Sequence, residues 1–587
     1  MDTDLDIESE NESANNRESD SESANNNESD SENDSSNGDQ NISKQLREWI
    51  IKYNITQNAT DDLLKILKTN GHDALPATAR TFLHSESIIE TKTVSNMEYY
   101  FFGFKAQLTK HIEYAISAGI HLPEELNFSM NIDGLPLYRS SKKSLWPVLV
   151  LISNIHPKVV FPVVITCGDK KPQNLEFLDE TINEINVVLT EGLSVENRYF
   201  NVFLSCIVCD APARSMVKCS KLYSGYYGCD RCNQRGEYVE GKVIFPISDQ
   251  LQDRTDTSFR AQTNAEHHHS VTPLCRLPID MIRNFPLDYM HQTCLGVMKR
   301  MLLHWLRGRR QNRLSAQQKE LISARLINMQ KHIPSIFARK PRSLNDIDHW
   351  KATEFRQFLL YTGRIVLRGV IRPELYSHFL LLCVAMCILV SNRLNAVQNQ
   401  TAQQLLETFL TRSTHLYGGE FMVYNVHCLS HISSDANEFG CLDNCSAFPF
   451  ENYLQVLKKK IRSSRRPLVQ IIKRIKECDT LKNPYKCKED SKTKSFPESK
   501  AYILDERTVC RVIQTDQPNQ NILMCEVFRN TESAFTEPLN SKSIGIHQVV
   551  TRKGREQSIQ SINLTRPAFT LPVGKEYTNF IEILHSE

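Results

Sequence analysis

The stretch from Phe203 to Cys232, FLSCIVCDAPARSMVKCSKLYSGYYGCDRC, constrains the fold more than any other, because it joins two kinds of metal chemistry within 30 residues. An apolar run, Phe203 to Cys209, reads as a buried strand and ends on Asp210. Nineteen residues further on, Cys229 and Cys232 form a Cys-x-x-Cys pair among glycines and polar turn residues. The strand delivers a carboxylate, and a knuckle follows it.

A lone carboxylate at a strand end is ordinarily a cap or turn residue, so Asp210 needs partners before it means more. Two segments supply them. Asn127 to Leu137, NFSMNIDGLPL, alternates Phe128, Met130 and Ile132 before Asp133 and then meets Gly134, as a half-buried strand running into a turn does. Ala447 to Lys460, AFPFENYLQVLKKK, places Glu451 just after Pro449, at the start of a helix with Leu454 and Leu457 on one face. Two Asp on strands and a Glu on a helix make the hard oxygen set that holds Mg²⁺ for phosphoryl transfer.

A second set of ligands gives these positions a reason to meet. Upstream of Glu451 the chain reads NVHCLSH, with His427 and His431 one helical turn apart, and His431 precedes Glu451 by 20 residues. Cys229, Cys232, His427 and His431 together make a tetrahedral two-thiolate, two-imidazole Zn²⁺ site with no open position, which suits structure and not hydrolysis. Such an ion ties the chain just after Asp210 to the chain just before Glu451, across the 241 residues that separate the two carboxylates.

The blocks MNIDGLPLYRSSKKSLWPVL, CIVCDAPARSM, GCDRCNQRG, FPLDYMHQTCLGVMKRML, WKATEFRQFLLY, HCLSH and FPFENYLQVLKKKIR resemble the CACTA (En/Spm) transposases in their animal form, relatives of the catalytic core of the V(D)J recombinase. The resemblance runs from Ile42 to Arg466. It implies an RNase H-like nuclease with Asp133, Asp210 and Glu451 as its metal-binding catalytic triad, two Mg²⁺ or Mn²⁺ ions per active site, and Zn²⁺ on Cys229, Cys232, His427 and His431. One departure is the spacing of the histidines, which stand closer together here than in the recombinase.

The net charge of +2 hides an asymmetry: Met1 to Asp39 carries 14 Asp and Glu against one Arg, leaving +15 on the rest. A basic body with an acidic tail suits a protein that meets nucleic acid, and it also suits a merely solubilising tail. The 17 cysteines are scattered and no basic-apolar leader opens the chain, which points to reduced thiols. The longest apolar run, Phe379 to Val390, is 12 residues, too short to span a bilayer and suited to a core helix.

Taken in order, residues 1–40 hold the tandem decapeptides SANNRESDSE and SANNNESDSE and read as a disordered tail. Residues 42–90 read as a small helical domain, for DNA binding, dimerisation or packing alone. Residues 95–235 carry three strands, an amphipathic helix from Asn174 to Thr190, the Asp210 strand and the Cys-x-x-Cys pair, the order of an RNase H-like half. Residues 236–424 read as an insertion, loop-rich as far as Pro273 and helical from Ile279. Residues 425–480 hold the His pair, the Glu451 helix and a basic stretch, and 481–587 a charged linker and a small β domain. The fold class expected is therefore α/β, an RNase H-like core interrupted by a large all-α insertion, between an N-terminal helical domain and a C-terminal β domain.

Several residues carry two readings. The adjacent His267, His268 and His269 cannot aim at one ion and read as a solvated loop. His291 either faces the active site or DNA, or serves structure near a helix start. Trp350 either stacks on an extruded base or is simply buried. Glu354 either assists the metals or pairs along its helix. Lys458, Lys459, Lys460, Arg462, Arg465 and Arg466 contact phosphates near the scissile bond, or form a solvated basic face or nuclear-import signal.

The expected function is that of a nuclear DDE-type DNA transposase. It would bind terminal inverted repeats and target DNA as a homodimer or higher oligomer, with no membrane association, and catalyse Mg²⁺-dependent cleavage and strand transfer. The rival is a domesticated, transposase-derived DNA-binding or scaffold protein that keeps the fold without cleaving.

Overall fold

The β-branched and aromatic runs between Lys92 and Val208 pair into one sheet. Its strands are β1 (Lys92–Val94), β2 (Met97–Phe101), β3 (Glu125–Ile132), β4 (Leu135–Pro136), β5 (Ser144–Ile152), β6 (Val160–Gly168), β7 (Leu193–Val195) and β8 (Arg198–Val208). The spatial order is β1-β2-β6-β5-β3-β8-β7, with β4 paired to β5 off this path. All neighbours are antiparallel except β3 and β8, which run parallel. The computed structural model describes residues 35–138, 141–248, 251–481, 483–486, 501–514, 522–574 and 576–584. The acidic repeats and nearly all of the Lys- and Ser-rich linker lie outside them.

Alternation along the strands gives the sheet two apolar faces. One face, with Phe128, Met130, Val148 and Val150, is covered by α4 (Phe104–Ser117) and α5 (Asp179–Glu191) through Phe104, Leu108, Ile112, Ile182 and Ile185. The opposite face, with Leu149, Leu151, Ile165, Cys206 and Val208, joins the largest core of the protein, built mainly from the helices that follow.

Before the sheet, α1 (Ser35–Lys52), α2 (Gln57–Thr69) and α3 (Ala79–Phe82) close over Ile50, Leu64, Leu75, Phe82 and Leu83. The first helix begins inside the segment expected to be a disordered tail. Thr56 and Thr78 cap the second and third helices by accepting from the Ala59 and Thr81 amides.

After the sheet come α6 (Ala211–Val217), a β9 (Glu237–Val239) and β10 (Lys242–Ile244) hairpin, and α7 (Asp256–Arg260). The helical series continues with α8 (Lys299–Arg307), α9 (Ala316–Met329), α10 (Ala352–Gln357), α11 (Gly363–Val366), α12 (Pro373–Leu389) and α13 (Asn392–Tyr417). It closes with α14 (Tyr424–His427), α15 (Ile432–Phe439), α16 (Phe448–Lys459) and α17 (Pro467–Asp479). The apolar run Phe379–Val390 is buried on every side, and no described helix is long and apolar enough to cross a membrane.

Eight further strands between Ala501 and Glu582 form a second, wholly antiparallel sheet. It shares the main core and is not a loosely tethered module: Phe569 packs on Phe337 and Tyr361, and Arg393 pairs with Glu582 at 2.8 Å. The chain is thus mixed α/β, with 17 α-helices among the described residues and one mixed sheet.

Candidate active site and metal centre

Parallel pairing of β3 with β8 sets the first relationship. Asn131 lies opposite Val208 at the end of the paired register, and Asp133 and Asp210 each follow two residues later, both just past the C-terminal ends of neighbouring strands. Gly134 follows Asp133 against the Trp146 ring, where an added Cβ would stand 2.7 Å from the indole. Its amide donates to Asp133 Oδ1 at 2.6 Å. Asp210 caps α6 by accepting from the Ala213 amide at 2.7 Å.

Glu451 arrives from the first turn of α16, with Pro449 just inside the helix start. Burial, then the charges of Asp210 and Glu451, hold the Asp133 carboxyl well above its ordinary range. Burial also raises Glu451, with Asp288 and Asp210 adding to it against the opposing pull of His291. Two carboxyls held above their ordinary range beside a third carboxylate make a site short of cations.

His291 supplies one. Its Nε2 lies 3.9 Å from Glu451 Oε1, and its Nδ1 is 2.7 Å from Asp288 Oδ2. Burial opposes its charge, but the Asp288 contact, helped by Glu451 and Asp210, raises its pKa to about 9. Asp288 is the residue sequence reading missed: buried, it also accepts the Ala447 amide at 2.9 Å at the head of α16. The only local signal was an Asp three residues before a His at a helix start.

The Cys and His residues converge more tightly. His427 Nε2 is 3.4 Å from Cys232 Sγ and 3.4 Å from His431 Nε2, and His431 Nε2 is 3.7 Å from Cys229 Sγ. A tetrahedral ion with metal–sulfur bonds of ~2.3 Å and metal–nitrogen bonds of ~2.0 Å requires edges of about 3.3–3.8 Å. The four buried residues therefore fit a structural metal ion, and among the described residues theirs is the one set of three or more whose ligand atoms all lie within 4.8 Å of one another. Burial alone would raise the Cys229 thiol, but hydrogen bonds from Cys232 and Cys428 and the two imidazoles bring it well below its usual range, toward the thiolate a metal needs.

The two residues between the cysteines anchor this centre to its surroundings. Asp230 pairs with Arg214 of α6, whose guanidinium also donates to Tyr424 Oη at 2.6 Å; Arg231 pairs with Asp435 of α15, which accepts the Leu287 amide at 2.8 Å. One buried network thus joins the helix capped by Asp210, the knuckle, and the helices around the His pair.

Other residues expected to act at the site are placed elsewhere. Trp350 is 5% exposed, packed on Phe355 and Phe358 with Nε1 donating to Ser343 O, so its faces are covered and the base-stacking reading is corrected. Glu354 is buried in a bidentate pair with Arg342 and serves packing. His267 is not solvated: it is fully buried, its Nδ1 2.7 Å from Tyr227 O. Of the basic stretch, Lys460 is held near Cys478 at 3.2 Å, and Arg462 fastens the Asn54–Ile55 turn through three hydrogen bonds. Lys458 bonds Pro136 O at 3.2 Å but is exposed, as are Lys459, Arg465 and Arg466.

Neither protein-family models nor curated proteins give a match to this chain.

Proposed function

We propose that this protein is a DDE-type DNA strand-transferase of the CACTA-like kind, cutting and joining DNA at Asp133, Asp210 and Glu451. The observation that carries the reading is the parallel pairing of β3 with β8, which ends two residues before both Asp133 and Asp210, with the charges of Asp210 and Glu451 both acting on Asp133. The order β6-β5-β3-β8, an antiparallel meander whose first strand pairs in parallel with the strand after a helix, supports an RNase H-like core. On this reading the helical segment between the knuckle and the His pair is an insertion.

The donor set fits hard divalent cations: three carboxylates, two of which, Asp133 and Glu451, have a raised affinity for protons that a metal would relieve. Mg²⁺ or Mn²⁺ there would supply Lewis-acid activation of the attacking oxygen and charge stabilisation of the leaving one. His291, holding a proton at Nε2 beside Glu451, offers a cationic N–H to a phosphodiester oxygen at the edge of the cluster. Asp288 keeps that proton in place and fixes the head of α16. Lys458, Lys459, Arg465 and Arg466, on and beyond the same helix, steady the backbone of the bound DNA.

Zn²⁺ is the ion that two thiolates and two imidazoles at these spacings select, in a closed structural role. Working on two DNA ends implies at least a homodimer, acting in the nucleus.

The test is plasmid nicking and Mn²⁺ binding by calorimetry, with wild type beside Glu451→Gln and Asp133→Asn. The reading expects Mg²⁺- or Mn²⁺-dependent nicking and saturable Mn²⁺ binding in wild type, both lost in the variants. Nicking that persists in both variants would place the chemistry elsewhere.

A further inference from the structure

The chain has four tryptophans. Trp305, Trp146 and Trp350 are 0%, 4% and 5% exposed, while Trp49 near the end of α1 is 42% exposed. One turn on, Tyr53 is 56% exposed, its ring centroid 6.0 Å from that of Trp49, and Lys52 Nζ lies 4.9 Å from the Tyr53 centroid. Ile50, between them in sequence, is fully buried in the small N-terminal core, so the helix has an inward face that accounts for its folding and an outward aromatic pair that does not.

This pair is attached to the candidate active site. Asn54, the residue after Tyr53, donates to Lys459 O at 3.0 Å and is held by Arg462. Lys459 ends the helix that begins beside Glu451, so the residue that follows the aromatic pair is fastened to the far end of α16, about 12 Å of helix from that carboxylate. Exposed Lys459 lies at the junction itself, and exposed Arg465 and Arg466 follow Arg462 closely in sequence. Two exposed rings among exposed cations match a strand of unpaired bases, whose faces stack on the rings while its phosphates meet the cations. They match another apolar protein surface less well.

We propose that Trp49, Tyr53 and Lys52 form a stacking platform for unpaired DNA bases, extending the substrate path from the Glu451 helix onto the N-terminal helices. The inference rests on the DNA-processing reading above and gives a specific surface to the N-terminal helices, for which DNA binding is one of three readings; Trp350, the tryptophan considered for stacking, is buried.

The buried positions of the other three tryptophans make the platform readable by intrinsic fluorescence. The full chain is titrated with an oligothymidylate of about 20 nucleotides and, separately, with a duplex of the same length, with binding followed by anisotropy. The single strand should quench tryptophan emission and shield it from acrylamide, and the duplex should bind with little change in either. Trp49→Phe should bind like wild type but lose the emission signal, whereas Trp49→Ala and Tyr53→Ala should weaken single-strand binding by about 5- to 150-fold.

Single-strand binding with Trp49 still open to acrylamide, and unaffected by Trp49→Ala, would overturn the platform while leaving duplex binding and cleavage to stand. Shielding of Trp49 that grows with protein concentration in the absence of DNA would overturn it in favour of contact between copies. Failure of both DNAs to bind would remove this inference together with the DNA reading on which it rests.

Discussion

Asp288 and His291 are joined by a 2.7 Å contact between Oδ2 and Nδ1, and the other Asp288 oxygen accepts the Ala447 amide at the head of the helix that carries Glu451. A single buried carboxylate therefore holds both the cation beside the candidate triad and the helix that delivers its third member. Asp288→Ala should lower stability by about 2–4 kcal/mol, the cost of stranding buried donors and a buried cation. Cleavage should fall more than stability alone explains, as assayed well below the melting temperature.

Gly134 meets the Trp146 ring where a side chain would need to be. Gly134→Ala should cost about 1–3 kcal/mol by overpacking and displace Asp133, reducing Mn²⁺ binding measured by calorimetry. Retained Mn²⁺ affinity would mean that the Asp133 loop tolerates the shift.

The Cys229, Cys232, His427 and His431 cluster should hold one Zn²⁺ per chain, detectable by elemental analysis. Cys229→Ser should release it and lower the melting temperature by more than ~5 °C, because a structural ion binds the folded chain and not the unfolded one.

The basic stretch divides into two kinds of residue. Charge removal at exposed Lys459, Arg465 and Arg466 should weaken DNA binding and reduce the slope of log affinity against log salt by about 0.9 for each phosphate no longer neutralised. Arg462→Ala should instead loosen the N-terminal helices, because its guanidinium holds the Asn54–Ile55 turn. Salt titrations and thermal melts separate the two effects.

Burial lowers His111 to about 3 and His378 and His547 to about 4. Above pH ~6.5 these histidines are neutral in both folded and unfolded chains and add no pH dependence. As pH falls through 6.5 the unfolded chain takes up protons that the folded chain refuses, so stability drops until the folded values are reached. The loss approaches ~1.4 kcal/mol per pH unit for each histidine. Asp133 and Glu451, raised in the folded state, pull the other way and soften the fall. Urea melts across pH 7 to 4.5 should show the decline, and His111→Phe, which keeps the stack on Phe161, should reduce it.

Much of the site was legible because its chemistry is written in residue types at fixed spacing: Cys229 with Cys232, His427 with His431, and an Asp at each of two strand ends. What the sequence could not convey was exposure and long-range bonding. Trp350 and Trp49 look alike as letters, and only packing distinguishes a covered ring from an open one. Asp288 gains its importance from Ala447, 159 residues away. Of the fold, the three-strand run and the α5 helix were readable from β-branched runs and amphipathic spacing. The strands Arg555–Gln560 and Pro567–Val573 were not, the first being polar almost throughout and the second holding prolines at Pro567 and Pro572. Helix α13 begins ten residues before its apolar periodicity does, because Asn392–Thr401 is rich in Asn and Gln.

The proposed function depends on Asp133, Asp210 and Glu451 cutting and joining DNA. Cleavage and strand transfer on DNA carrying the inverted repeats that flank the coding locus, with wild type beside Asp210→Asn, test it most directly. Wild type should cleave and join the DNA in the presence of Mg²⁺ or Mn²⁺, with Asp210→Asn still binding the DNA and doing neither. Binding without cleavage by wild type, or equal cleavage by both proteins, would contradict it.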